Sequence, residues 1–340
     1  MVETIGANPA LSYIGEGLNR AECVLTHSSG TLIVSDWTGT GGVSVIVPDG
    51  RTGRVLAAKG QKPLRPNGIA LDDDGSILVA HLGDTDGGIW RLRADGSVEP
   101  VLTEVDGQPL PPTNFVHRDR DRLWITVSTR HSPRQLAYRG DIADGFIVLK
   151  DADGARIVAD HIGYTNECFL SPGRTRLFVN ETFARRTSQY DVTGRGLENK
   201  TAVARYGEGT YPDGVALDSE GALWVTSIVS NRVIRVRPGG EPEIILEDAD
   251  QAVIAAAESA YREGRMGADH LRTPQSGNPD LENVSSLSFG GQDLKTAYLG
   301  SLGGKRIASF RSDVAGIRPV HWNVDISALI AASGLSLVDS

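Results

Sequence analysis

Apolar residues alternate with polar ones in short runs along most of the chain, as in VSVIV at 43–47 and NRVIRV at 231–236, and Gly-rich turns separate the runs. Alternation at every second residue puts one set of side chains on each face of an extended segment, so these runs are predicted strands. The runs recur as a unit. RPNGIALDDDGSILVAHL from Arg65 and YPDGVALDSEGALWVTSI from Tyr211 share one register: a polar residue, Gly, alternating apolar residues, an acidic Gly turn, then a hydrophobic strand. The polar slot falls at Glu22, Asn67, Asn114, Asn166, Asp213 and Ser285, in steps of 45, 47, 52, 47 and 72 residues. A period of about 40 to 50 residues holding several short strands predicts a β-propeller, an all-β ring of four-stranded sheets around a channel. Six copies predict six blades in a single domain over 1–340, with the N-terminal LSYIGEGL joining the last blade beside IASF and GIRPVHW.

The long step carries a different period. DADQAVIAAAESAYREGRMGADHL has an Ala-rich interior, Asp248 or Asp250 as N-cap and Gly264 as a stop, which predicts a helix from about 250 to 263. It reads as a helical insertion, 249–282, between blades five and six. Because it ends at the sixth slot, it is expected on the face where the slots converge, either as a lid over the channel or as a packing helix at its rim.

Charge and composition narrow the partners. Lys+Arg number 34 against Asp+Glu 43, a net charge of −9 with no basic block, which argues against binding to nucleic acid or an anionic membrane surface. Cys23 and Cys168 cannot make a disulfide framework and sit in no metal-binding Cys pattern, which suits a reducing compartment. No basic leader precedes an apolar run, and no segment approaches about 18 uninterrupted apolar residues. The expectation is a cytoplasmic protein acting on a small molecule, with its oligomeric state left open.

In a closed ring the six slots point at one axial region, so residues far apart in sequence become neighbours. All six offer oxygen, and two are carboxylates that can offset a divalent cation, which suits a hard metal such as Ca²⁺, Mg²⁺ or Mn²⁺. Asn67 and Asp213 precede Gly and are also ordinary turn residues, whereas Asn114 and Asn166, followed by Phe115 and Glu167, have no such explanation. Among the histidines, His81, His117, His131 and His270 are candidate bases near neutral pH, with His81 placed at a strand end and His270 in the insertion. Arg65, Arg130 and Arg185 are candidates to grip a substrate.

Taken together, Glu22 through TLIVSDW, Asn114 with LWITVST, Asn166 with LFVNET, YPDGVALDSEGALWV and SSLSFGGQDLKTAYLGS resemble the senescence marker protein/gluconolactonase/luciferin-regenerating-enzyme family. The resemblance implies a six-bladed propeller with one divalent cation in the channel, held by Glu22, Asn114, Asn166 and Asp213. Ca²⁺ comes first, with Mg²⁺, Mn²⁺ and Zn²⁺ as other candidates. The implied reaction is hydrolysis of a small lactone, such as a sugar-acid lactone, with Asp213 as general base or nucleophile and Glu22 in reserve. Asn67, His81, Arg130, Glu181 and His270 would face the substrate. The chain departs from the family in three places: Cys23 and Val24 stand where a small residue and Pro are usual, Phe115 where Asp is common, and Glu167 where Gly is common. Three rivals remain: an organophosphate hydrolase on the same metal site, a strictosidine-synthase-like propeller suggested by LFVNET with Glu181, and a non-catalytic scaffold suggested by the SDW at 35–37.

Overall fold

The computed structural model of the chain describes residues 3–4, 8–194, 196–271 and 281–337. Six sheets run in chain order around a ring, each built on four antiparallel strands, and the sheet of blade 5 gains Glu3–Thr4 as a fifth strand, parallel to Pro242–Glu247. Blade 1 holds Val24–Thr26, Leu32–Asp36, Gly42–Ile46 and Thr52–Leu56, and blade 2 holds Pro66–Leu71, Ile77–His81, Ile89–Leu92 and Val98–Leu102. Blade 3 begins at Thr113–Asp119, blade 4 at Thr165–Leu170 and blade 5 at Pro212–Leu217. Blade 6 contributes Val284–Gly290, Thr296–Ser301 and Ile307–Arg311, and its outer strand is Ser12–Ile14 from the N-terminus, paired antiparallel with Ile307–Arg311. Seating this N-terminal strand beside the last strand of the chain closes the ring, so blade 6 is completed by both ends of the fold.

The alternating residues of each blade bury against the next blade. Ile33, Val43 and Val45 meet Ile69, Leu71 and Val79 between blades 1 and 2, and Trp124, Ile147 and Leu149 meet Cys168, Leu177 and Val179 between blades 3 and 4. Comparable clusters fill the other junctions, including blade 6 against blade 1 through Ile307 and Leu32. Burial on both faces explains why the inner strands are apolar outside their slots.

GIRPVHW is not a strand of blade 6, because Ser12–Ile14 already fills the fourth position. The segment instead crosses the far mouth of the channel. Ile317 N–H donates to the Leu217 carbonyl in blade 5, and at the other end His321 Nε2 bonds the Thr26 carbonyl while Ser28 N–H donates to Trp322 O in blade 1.

A helix, Gln251–Arg262, follows the last strand of blade 5, with Asp250 as N-cap accepting from Ala252 N–H at 2.8 Å and Gly264 just beyond its end at φ +66°. It docks on the slot face. Ala257 and Ala260 join Tyr138, Tyr164, Phe183, Tyr211, Ile228 and Val229 in one buried cluster. Glu258, 3% exposed, accepts there from Arg185 Nη2 (2.7 Å), Gly209 N–H (2.7 Å) and Tyr211 O–H (3.0 Å). Residues 272–280 of the expected insertion lie outside the described residues. Among the described residues no helix is long and apolar enough to cross a membrane.

Blade 4 is pinned by Glu181, whose side chain is fully buried. Its Oε1 accepts from Arg186 Nε (2.8 Å), Ser188 Oγ (2.5 Å) and Lys200 Nζ (3.0 Å), and its Oε2 from Arg186 Nη2 (2.7 Å) and Gly163 N–H (2.9 Å). With both oxygens committed, Glu181 has no lone pair to offer a substrate, contrary to the sequence expectation. The SDW motif is likewise structural: Asp36 accepts from Thr38 N–H, Ser44 and Arg54, and Trp37 Nε1 donates to the Pro66 carbonyl.

This bonding has two measurable consequences. Glu258→Ala leaves Arg185 buried beside aromatic rings without its carboxylate, so urea unfolding should show a loss of about 3 kcal/mol, whereas Arg311→Ala at the exposed Asp293 pair should leave the midpoint unchanged. Burial alone would raise the Glu181 carboxyl, but Arg186, Ser188, Lys200 and Gly163 N–H overcome it and hold it at about 2, below the ordinary 4.5. A depressed carboxyl stabilises the fold above its unfolded value and loses that contribution as pH falls, here about 3 kcal/mol between pH 4.5 and about 2. The stability difference between wild type and Glu181→Gln should therefore be flat above about pH 5 and shrink through this window; a difference independent of pH would contradict the assignment.

Candidate active site

In blades 2 to 6 the inner strand is irregular where its slot falls, whereas in blade 1 Glu22 lies just before a regular strand, Val24–Thr26. The register against the second strand slips between Pro66 and Ile69, Thr113 and Phe115, Thr165 and Cys168, Pro212 and Val215, and Val284 and Ser286. An extra residue in one strand re-aims a side chain. Here it turns Asn67, Asn114, Asn166, Asp213 and Ser285 out of the alternation that buries their neighbours between blades. The glycines after two slots have a packing reason rather than a turn reason. A Cβ on Gly68 would lie 2.8 Å from Phe115 Cα, and one on Gly214 would lie 2.6 Å from the Ser285 carbonyl oxygen. Adjacent inner strands approach too closely at these points for any side chain.

A hydrogen-bonded network links the slots. Asn67 Nδ2 donates to Glu22 Oε1 (2.7 Å) and to the Asn114 carbonyl (3.0 Å), while Arg20 Nη2 donates to Asn67 Oδ1 (3.0 Å). Asn67 thus positions Glu22 and has little capacity left for a substrate. Ser285 Oγ donates to the Glu22 carbonyl (2.8 Å), and Asn166 Nδ2 donates to Thr182 Oγ1 (3.0 Å). Three acceptors remain buried without a donor: Glu22 Oε2, Asn114 Oδ1 and Asn166 Oδ1. Each unmade bond of this kind costs about 1–3 kcal/mol. One hard divalent cation would satisfy all three, with Asp213 supplying the second negative charge. Among the described residues no three His, Cys, Asp or Glu side chains form a metal-binding group, so this capacity rests on the amide oxygens as much as on the carboxylates.

The electrostatics agree with that reading. Burial pushes the Glu22 carboxyl up to about 7, against the lowering effect of Arg20, Arg134 and the bond from Asn67. Burial and then Glu22 push Asp213 well above the usual carboxylate range. Two buried carboxylates close together resist ionising jointly, and a divalent cation between them reverses the preference. Glu167, one of the departures from the family pattern, is a third buried carboxyl; burial, Glu22 and Asp213 raise it, and its Oε2 accepts from Val215 N–H at 3.1 Å.

The other sequence candidates are engaged elsewhere. His81 Nδ1 accepts from Arg65 N–H (3.0 Å) and its Nε2 lies 3.5 Å from Asp86. Arg130 grips Asp160 through both terminal nitrogens (2.8 and 2.9 Å) and lies over Phe146. His270 Nδ1 accepts from Gly267 N–H at 3.1 Å, and His131 Nδ1 is 2.8 Å from Asp144. Two residues close to the slots carry no strong mark in the sequence. Arg20, two positions before Glu22, could have been found by that proximity. Arg134 sits in a loop of blade 3 outside the repeat, where no periodic signal marks it.

Below the slots the channel widens into a cavity of about 330 Å³ lined by Phe115, His117, Glu167, Phe169, Phe289 and the crossing segment near His321. His117 is buried there against Phe169 and held neutral, its imidazole pushed down to about 4 by burial.

The chain resembles known proteins in sequence and in fold. Residues 133–247 match the family model described as SMP-30/Gluconolactonase/LRE-like region. The chain is 24% identical to 6-deoxy-6-sulfogluconolactonase of Pseudomonas putida over 72% of each protein. It is 27% identical to strictosidine synthase-like 7 of Arabidopsis thaliana over 57% of this chain and 46% of that protein, and its matches to this and two similar Arabidopsis proteins span about half of their length. A gluconolactonase structure from Xanthomonas campestris superposes with a TM-score of 0.64 at 20% identity, covering 88% of this chain and 89% of that one. The calcium-binding protein regucalcin from Agrobacterium tumefaciens gives 0.58 at 16% identity, covering 91% and 93%. The chain is therefore a six-bladed propeller that carries an SMP-30/gluconolactonase/LRE-like region.

Proposed function

We propose that this protein is a metal-dependent lactonase, a single propeller domain that opens a small lactone of the sugar-acid type at the slot end of its channel. The observation that carries the reading is the convergence of Glu22 Oε2, Asn114 Oδ1 and Asn166 Oδ1, buried and without donors, beside the Asp213 carboxyl. Glu22, Asn114, Asn166 and Asp213 would hold the cation. Ca²⁺ suits an all-oxygen set that includes amide oxygens, and the Agrobacterium neighbour is described as calcium-binding. The Pseudomonas and Xanthomonas proteins, named for sugar-acid lactones, support the substrate class.

A bound divalent cation supplies polarisation of the lactone carbonyl and stabilisation of the oxygen that becomes negative. Asp213 takes the proton from the attacking water, and the Asn166 amide favours its ionised form. Asn67 fixes one oxygen of Glu22, so that the other faces the ring. Helix Gln251–Arg262 roofs one side of the mouth with the Tyr164 and Tyr211 cluster and keeps bulk water from that side. The two buried free cysteines fit a cytoplasmic setting.

A second reading, a strictosidine-synthase-like propeller working without a metal, is favoured by the Arabidopsis relatives and by the lower cavity, where Glu167 meets Phe115, Phe169 and Phe289. Chelation separates the two. Calorimetry should find one Ca²⁺ bound per chain in wild type and none in Asp213→Ala or Asn166→Ala. Lactone opening, followed as acid release, should fall at least about 100-fold in both variants and after chelation, and return to the chelated wild type with Ca²⁺. Undiminished turnover without metal would contradict the proposal.

A further inference from the structure

The cavity below the slots, about 330 Å³, falls at the lower end of the range of small-molecule sites, about 300–1,000 Å³. Its inner end begins at the slots. Cys23, Phe115 and Glu167, which follow Glu22, Asn114 and Asn166 in sequence, all line it. Its outer end is bridged by the crossing segment, tied to blade 5 by Ile317 N–H (3.0 Å) and to blade 1 by Trp322 O (3.0 Å) and His321 Nε2 (3.2 Å). Arg318, Pro319 and Val320 span the mouth between these fixed ends. A space of this size behind a bridged mouth suits a small molecule and not a partner's helix, which is about 10–12 Å across.

Four rings line the cavity: Phe115, Phe169, Phe289 and the imidazole of His117, tilted against Phe169 with 5.3 Å between ring centres. Aromatic walls favour an aromatic guest, because edge and offset contacts add to what burial alone gives. Charged residues of the lining already have partners. Arg118 bonds Asp72 (2.9 Å) and Asp73, Arg174 bonds Asp119, and Arg318 is exposed on the crossing segment. Two imidazoles supply the remaining polarity. His321 donates from Nε2 to the Thr26 carbonyl, a tautomer that keeps Nδ1 as an acceptor, and a neutral His117 offers one donor and one acceptor. Burial holds both neutral, pushed down to about 4. Ring nitrogens that accept suit a guest that donates, and a lining that keeps its histidines neutral suits a guest without charge.

We infer that the lower cavity is a second binding site, which takes an uncharged molecule of one or two aromatic rings bearing a hydroxyl, its rings among Phe115, Phe169 and Phe289 and its hydroxyl donating to His117. The site lies apart from the lactone-opening end of the channel, and its occupancy does not depend on the lactonase reading.

Calorimetry on the full chain tests the ligand class with four bicyclic probes of similar size: 2-naphthol, 2-naphthoate, 2-(aminomethyl)naphthalene and decahydro-2-naphthol. One 2-naphthol should bind per chain with Kd below about 100 μM, and the anionic, cationic and saturated probes about 10-fold or more weakly. His117→Phe keeps a ring and removes its nitrogens, so it should weaken 2-naphthol about 5- to 10-fold while naphthalene changes less than about twofold. A near-UV circular dichroism spectrum matching wild type shows that the variant is folded. A wild-type crystal soaked with 6-bromo-2-naphthol locates the site without any variant. Its bromine peak should lie among Phe115, Phe169 and Phe289, and excess D-gluconolactone should leave the 2-naphthol Kd unchanged. Tighter binding of a charged or saturated probe, or an equal loss of naphthalene and 2-naphthol in folded His117→Phe, would overturn the assigned chemistry. Binding of none of the four probes, displacement by the lactone, or a bromine peak at the slot end would overturn the site.

Discussion

Three buried oxygens that accept no hydrogen bond, Glu22 Oε2, Asn114 Oδ1 and Asn166 Oδ1, are the constraint around which the channel is organised. Other buried polar atoms among the described residues also lack a partner, but these three are the acceptors that fall at slots, one in each of three different blades. Keeping them there takes a closed ring, because the residues come from 22, 114 and 166 and meet only when the blades converge. Closure in turn depends on Ser12–Ile14 pairing with Ile307–Arg311, which joins the two ends of the chain far from the site. The irregular register of the inner strands then does the local work of turning the slot residues toward one another.

The two mouths of the channel are built differently. On the slot side an aromatic cluster and helix Gln251–Arg262 form a rigid wall, anchored by the buried Glu258 and Arg185. Moving the helix would have to separate this pair and expose Tyr211. On the far side the segment from Ile317 to Trp322 crosses from blade 5 to blade 1 over a mostly apolar cavity. Glu167 lies between, next in sequence to Asn166 and lining that cavity. The slots above and the cavity below thus meet at neighbouring residues of one strand, Thr165–Leu170.

Much of this fold was legible because a propeller writes itself as a repeat. The six slots, the closing role of LSYIGEGL, the Asp250 cap and the Gly264 stop are all local signals that the tertiary structure keeps. GIRPVHW misled because a β-rich composition does not say whether a segment pairs, and the last strand position was already filled. The site was legible in part. Slots could be aligned by register, but which atoms each slot residue spends on its neighbours could not: Asn67 is consumed by Glu22 and Asn114, Glu181 by Arg186 and Lys200, and Arg130 by Asp160.

The central claim is that the four side chains hold one divalent cation. Anomalous scattering from a crystal grown with Mn²⁺ in place of Ca²⁺ tests it most directly. The account predicts one strong peak in the channel, bounded by Glu22, Asn114, Asn166 and Asp213, and its disappearance in Asp213→Ala. A channel without a peak, in crystals of protein that still opens lactones in the presence of a chelator, would contradict it.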